Sequence, residues 1–532
     1  MALARTRSVT LIGLEGVIVD VEADLGAGLP NFTVVGLPDT AVNESRDRVR
    51  AAILNSGESW PNQRITVGLS PASVRKRGSG LDLAVAAAVL AGARSVPTHS
   101  IADLVLLGEL GLDGRVRPIR GVLPAVLAAT RKGHRRFVVP AANAAEAALV
   151  PDVEVTGVRS LRHLLALLRG LPDLDDDPQT EIGEPGQEAV PKTWAGDPGL
   201  SEAATCAGRP TPDLADVVGQ IEARRALEIC AAGGHHLFLH GPPGGGKTML
   251  AERLPGLLPP LDRAAALEVT AVHSVAGRLP PDQPLITRPP FCAPHHSSSL
   301  PSVIGGGPGL PRPGAVSLAH RGVLFLDEAP EFQVRVLDCL RQPLESGEVI
   351  IGRAAGTVRF PARFLLVLAA NPCPCGLGGK AIDCRCSPQL RHRYLARLSG
   401  PLLDRIDLQV MVHPVSRAEL LSDLPNAEST AVVAERVRLA RERAARRYAG
   451  TPWRTNAEVP GREIRRRFRP EPGSLAEIAA AMDRGQLSAR SVDRVLRVAW
   501  TLADLAGRDR PTRDDVYEAL FFKIGLHGTV AP

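Results

Sequence analysis

The segment Gly241-Pro242-Pro243-Gly244-Gly245-Gly246-Lys247-Thr248 puts four glycines, a lysine and a hydroxyl into eight residues. Glycines at this spacing let backbone N–H groups close around phosphates, and a helix beginning at Lys247 adds the positive end of its dipole. The pattern predicts a P-loop for ATP. Lys247 is expected to reach the β and γ phosphates and the Thr248 hydroxyl to ligate Mg²⁺. Six of the 63 basic residues are lysines, so one at this motif position carries weight. A second candidate is Val323-Leu-Phe-Leu-Asp327-Glu328, an apolar run delivering two carboxylates at its end. Asp327 is expected to hold Mg²⁺ and Glu328 to activate the attacking water, the Walker B arrangement. Asn371, at the end of the apolar run Phe364 to Ala370, has the placement of a sensor 1 residue beside the γ-phosphate.

Two further groups carry chemistry. In Leu402-Leu-Asp404-Arg405-Ile-Asp407, the bland reading of Arg405 is a surface salt bridge. The sharper reading is an arginine finger serving the site of a neighbouring subunit, which requires a ring. Cys373-Pro-Cys375 and Cys384-Arg-Cys386 are two Cys-x-Cys pairs within 14 residues. Four thiolates so spaced fit a structural, tetrahedral Zn²⁺ site, the other reading being free or redox-active thiols. His295 and His296 are adjacent and point apart on a helix or strand, so hydrogen bonding or DNA contact is expected of them rather than metal binding.

These groups need strands and helices to hold them. Strand, P-loop and helix follow one another from His236 to Leu254, and the Walker B and sensor 1 runs supply two more buried strands. Upstream, Phe32 to Val35, Ile65 to Val67, Val105 to Leu107 and Phe137 to Val139 alternate with Ala-rich helical stretches. The C-terminal part is helical: Val492, Val495, Leu496, Ala499 and Leu502 share one face ending near Gly507, and Thr512 with Asp515 opens the next helix. The chain of 532 residues is long enough for two or three domains. Aromatics are only 3%, so the cores must be aliphatic. No run reaches the roughly 18 to 20 apolar residues of a membrane span, and Glu15 and Asp20 fall where a signal peptide stays apolar, so a cytoplasmic protein without membrane contact is expected. The net charge of +6 permits nucleic-acid binding without demonstrating it.

Together the nucleotide motifs resemble the AAA+ superfamily over about residues 211–525, in the branch holding magnesium-chelatase motor subunits, MoxR-type ATPases and MCM helicases. Members of this branch carry a hairpin before sensor 1, which Glu348 to Arg353 and Gly356 to Phe360 fit, and a helix-2 insertion, which Arg288 to Gly314 fits. Pro294-His-His-Ser297, Leu318 to Glu328 and Asn371-Pro-Cys-Pro-Cys-Gly376 resemble the YifB/ComM family over nearly the whole chain. That resemblance implies a homo-hexameric ATPase acting on single-stranded or branched DNA, a helicase of the branch-migration kind. Arg490 then resembles sensor 2, with Arg494 as its rival. Arg353 and Arg359 on the hairpin are the expected DNA contacts, since a ring multiplies each around one channel. The arginine runs at 436–447 and 462–469 read as solvated helix faces. The same branch leaves two alternatives: a metal-insertion motor of the magnesium-chelatase type and a MoxR-like chaperone.

The N-terminal region resembles the Lon-protease and ribosomal S5-like fold through Lys76 to Leu90 and Gly108 to Ile119. Aligned to the Lon pattern, Gly80 stands at the nucleophile and Leu123 at the catalytic lysine, so no peptidase activity is expected. The expected fold is therefore α/β: a Lon-like, S5-domain-2-like domain over 1–170, a disordered linker over 171–210, an AAA+ core over 211–415 with its hairpin and Cys₄ insertion, and a helical lid over 416–532.

Overall fold

The computed structural model describes residues 2–76, 78–172, 212–280, 283–307, 311–353, 356–376, 384–415 and 427–524. Nearly all of the expected linker lies outside them.

The N-terminal domain is built on a mixed seven-stranded sheet. Its strands are β1 (Ala2–Ile12), β2 (Glu15–Gly26), β3 (Asn31–Val35), β4 (Arg64–Ser70), β5 (Leu104–Leu106), β6 (Arg136–Pro140) and β7 (Glu154–Val158), in the order β3-β4-β2-β1-β5-β6-β7. On β2, Val19, Val21, Ala23 and Leu25 are buried while the residues between them are not, the alternation of a sheet with one covered face. Helix α1 (Thr40–Asn55) and helix α2 (Asp82–Gly92) belong to that core. Helix α2 is buried along its whole length, which its Ala and Val content permits and a bulkier sequence would not.

The second domain carries a five-stranded parallel sheet. Its strands are β8 (Leu237–His240), β9 (Phe291–Cys292), β10 (Val323–Leu326), β11 (Leu365–Ala370) and β12 (Leu408–Met411), in the order β9-β10-β11-β8-β12. All residues of β8, β10 and β11 are buried, which accounts for their apolar sequence, broken only by His240 at the end of β8. Helices α3 (Ile221–Gly233) and α4 (Lys247–Leu257) pack on one face. The lid helices α5 (Thr430–Arg447), α6 (Ala489–Leu505) and α7 (Arg513–Ile524) share that core through Val437, Val495, Leu496 and Val516. Thr512 and Asp515 cap α7 reciprocally, as the sequence predicts.

A separate antiparallel hairpin pairs Glu348–Arg353 with Gly356–Pro361. The middle of its second strand meets the N-terminal domain, where a Cβ added at Gly13 would stand 2.5 Å from Val358 Cγ1. A buried hydrogen bond also joins the domains: Ser274 Oγ donates to Glu146, which further accepts from Leu123 N at 2.8 Å. Among the described residues, no helix is long and apolar enough to cross a membrane.

Candidate nucleotide site

The P-loop connects the C-terminal end of β8 to the first turn of α4. Gly246 caps α4 with φ +88°, and a Cβ at Gly241 would stand 2.0 Å from the Val412 carbonyl oxygen. The first position requires the left-handed region and the second requires no side chain at all, which is why glycine occupies both.

Lys247 Nζ donates to the carbonyls of Gly241 at 2.7 Å and Pro242 at 2.9 Å, and to Asn371 Oδ1 at 2.9 Å. Three oxygens thus ring the ammonium. Burial pulls the Lys247 pKa below its ordinary value, against the opposing pull of Asp327 and Glu328. Thr248 Oγ1 donates to Asp327 Oδ2 at 2.7 Å, so the hydroxyl and the carboxylate expected to flank Mg²⁺ already meet. Both are oxygen donors of the kind Mg²⁺ takes, at a helix N-terminus open to phosphate, and the arrangement fits the metal–nucleotide pair.

Glu328 leaves β10 with φ +49°, and its own N–H donates to Asp327 Oδ1 at 2.9 Å. Its side chain is half exposed and its Oε2 lies 3.2 Å from His296 Nδ1. Sequence reasoning gives His296 no partner. The structure gives it Glu328, a contact made by folding across 32 residues that no local pattern announces.

Two more residues escape sequence reasoning. Gln220 Nε2 spans the loop, donating to Gly245 O at 3.1 Å and to His413 O. Tyr394 is buried and bonded to the Asn371 backbone; burial, then the charges of Glu331, Glu328 and Cys373, push its phenol up to about 12. Each bridges segments far apart in sequence, so neither has a motif.

Known proteins share these features. Family models described as "Magnesium chelatase, subunit ChlI", "Subunit ChlI of Mg-chelatase" and "Magnesium chelatase, subunit ChlI C-terminal" match residues 213–420, 21–143 and 427–523. An uncharacterized protein of Mycobacterium tuberculosis is 54% identical over 98% of this chain and 99% of its own. Competence protein ComM of Haemophilus influenzae is 40% identical over 98% of both chains, and YifB of Escherichia coli is 38% identical over 98% of this chain and 97% of its own. The chain belongs to the ComM/YifB family of magnesium-chelatase-like AAA+ proteins. Membership implies an ATPase using ATP with Mg²⁺.

In this ComM/YifB chain the cysteine cluster adjoins the nucleotide site. Cys373 follows Asn371 by two residues, and a Cβ at Gly376 would stand 3.0 Å from the Pro243 ring. The four sulfurs lie within 4.8 Å of one another, with 3.2 Å between Cys373 and Cys375 and 3.6 Å from each to Cys384. Four thiolates around zinc at about 2.3 Å stand about 3.8 Å apart, so the set fits a tetrahedral ion.

Arg405 is not extended into solvent. Its guanidinium pairs with Glu345 and donates to Pro401 O, and its Nε is buried without a partner. Glu345 lies in Arg341–Ser346, the helix leading into the hairpin. Arg490 is exposed on the first turn of α6, whereas its rival Arg494 is taken up by Asp407 at 2.7 Å. On the hairpin, Arg359 is exposed and pairs with Glu348 at 3.4 Å; the Arg353 side chain lies outside the described residues.

The first arginine run is more than a solvated face. Arg436 pairs with Glu228 and Glu428, Arg441 donates to Ala231 O at 2.8 Å, Arg443 donates to Asp504 O at 2.6 Å, and Arg447 pairs with Asp504. Arg447 also lies 4.0 Å over the Trp500 ring. Glu228 and Ala231 on α3 and Asp504 on α6 receive these arginines and fasten α5 to both helices, while Arg438 pairs within α5 with Glu435 and Glu442.

Proposed function

We propose that the chain is an ATP-driven motor that works in the cytoplasm as a homo-hexameric ring on single-stranded or branched DNA, remodelling recombination intermediates by branch migration. The observation that carries this reading is the likeness to a competence protein over 98% of both chains, set on a nucleotide site whose parts meet. A chelatase-type motor needs a separate catalytic subunit, and a chaperone reading has no contact in its favour.

In the proposed cycle Lys247 and the P-loop backbone bind the phosphates, and Thr248 and Asp327 hold Mg²⁺, which supplies charge neutralisation on the γ-phosphate when bound. Glu328 takes the proton of the attacking water, Asn371 positions that water, Arg490 closes from the lid, and a neighbour's Arg405 completes the site. Arg353 and Arg359 contact the DNA backbone. A labelled four-way junction should be resolved into longer-armed products in the presence of ATP and not of a non-hydrolysable analogue. Equal product with the analogue would refute the motor.

The cysteines hold a structural zinc in this reading. Freshly purified protein should contain about one equivalent of zinc per chain by elemental analysis, lost in Cys384→Ser; less than about half an equivalent would count against it. The N-terminal domain is proposed to lack peptidase activity. Ser79 Oγ bonds Glu109 and Lys76 Nζ is held by Pro71 O, so neither activates the other. ATP-dependent cleavage of casein that disappears in Ser79→Ala would overturn this.

A further inference from the structure

Arg405, Ile406 and Asp407 are consecutive, and each is bonded to the lid. Arg494 Nη1, on α6, donates to Arg405 O at 2.9 Å and to Asp407 Oδ1 at 2.7 Å. Lys523 Nζ, on α7, donates to Ile406 O at 2.6 Å. Asp407 Oδ2 accepts from His236 N at 3.1 Å and faces His235 Nδ1 at 3.5 Å, and His235 Nε2 lies 2.7 Å from Thr501 on α6. Asp407 is 2% and Lys523 4% exposed. Charges are costly to bury, and here they grip two backbone carbonyls and one carboxylate of one short segment.

The same helix carries Arg490 one turn before Arg494, so its N-terminal turn faces two tasks four residues apart. We infer that Arg494, backed by Lys523, is a positioning residue for Arg405: the lid of each subunit sets where that subunit's finger stands in its neighbour's site. The inference rests on the proposed finger role of Arg405. Nucleotide closing the lid of one subunit then shifts α6, Arg494 carries the shift to the Arg405 backbone, and the next subunit's turnover responds. A displacement near 1 Å suffices, because misplacing a catalytic group by that much costs about a hundredfold. Lys523 adds a second grip from α7, so the segment follows the lid as a unit rather than pivoting on one bond.

Subunit mixing separates this from a role of Arg494 at its own subunit's nucleotide. Lys247→Ala subunits offer a sound finger but bind no ATP, and Arg405→Ala subunits bind ATP but offer no finger. Arg494→Gln alone should lose turnover by about ten- to a hundredfold with the KM for ATP within about twofold of wild type, and Arg494→Lys should recover part of the loss. Equimolar mixing with Lys247→Ala should restore turnover about twofold or more above either variant alone, and mixing with Arg405→Ala should not. The reverse pattern, rescue by Arg405→Ala alone, would place Arg494 at its own nucleotide and overturn the inference.

Lys523→Met replaces a buried ammonium by an apolar chain of similar length and serves if Arg494→Gln does not fold. It should show a smaller loss with the same partner preference, and wild-type turnover in it would overturn the inference. Arg405→Ala mixed with Lys247→Ala is run alongside. If that pair regains activity and Arg494→Gln does not, only the inference fails; if that pair stays dead, the finger reading has failed and takes the inference with it.

Discussion

Glu328→Gln is expected to bind ATP within about threefold of wild type while its turnover falls by about a thousandfold. The substitution keeps size and shape but removes the basic oxygen. The groups proposed to hold the nucleotide are untouched: Lys247 keeps its three oxygen partners and Thr248 keeps Asp327. The backbone at Glu328 sits at φ +49°, a region that costs a side-chain-bearing residue about 1 kcal/mol or more. That conformation is fixed by the Glu328 N–H on Asp327 and by the turn into Ala329–Glu331, neither of which depends on the side-chain charge. The substituted amide should therefore occupy the same place and fail only at taking the proton. Fluorescent-nucleotide titration and phosphate release measure the two quantities; turnover above about a tenth of wild type would remove Glu328 from the proposed role.

Arg405→Ala is expected to lose about a thousandfold in turnover and to regain it when mixed with Lys247→Ala. Within its own subunit Arg405 is occupied by Glu345 and Pro401, so a purely structural role predicts lost stability and no rescue by mixing. A shared site predicts the opposite, because each Lys247→Ala subunit supplies the finger that its Arg405→Ala neighbour lacks. The pairing with Glu345 also implies that the guanidinium must leave that carboxylate to reach a neighbour. Exchanging one carboxylate for phosphate oxygens of higher charge is favourable once the subunits have assembled.

The parts of the site legible in the sequence are those whose chemistry is local. Gly241 and Gly246 are dictated by close approach and positive φ within the loop itself, Asp327 and Glu328 by the end of a strand apolar enough to be buried on both faces, and Thr512 with Asp515 by one turn of helix. The parts that were not legible are made by distant segments meeting. His296 on Glu328, Tyr394 beside Asn371 and Arg494 on Asp407 each join stretches that share no periodicity. The arginines of α5 illustrate the limit from the other side. Their helical spacing predicts a wet face, but Glu228 on α3 and Asp504 on α6 make much of that face an interface. Charge alone does not tell a solvated arginine from a fastening one; the position of the receiving acid does.

Steady-state ATP hydrolysis by the full chain, measured without DNA and with single-stranded, duplex and four-way-junction DNA, tests the central claim of a DNA-directed motor most directly. Turnover should rise several-fold or more with single-stranded or branched DNA, and the rise should diminish as salt increases, because contacts to the phosphate backbone weaken by counterion competition. Turnover that is the same with every form of DNA and with none would contradict it.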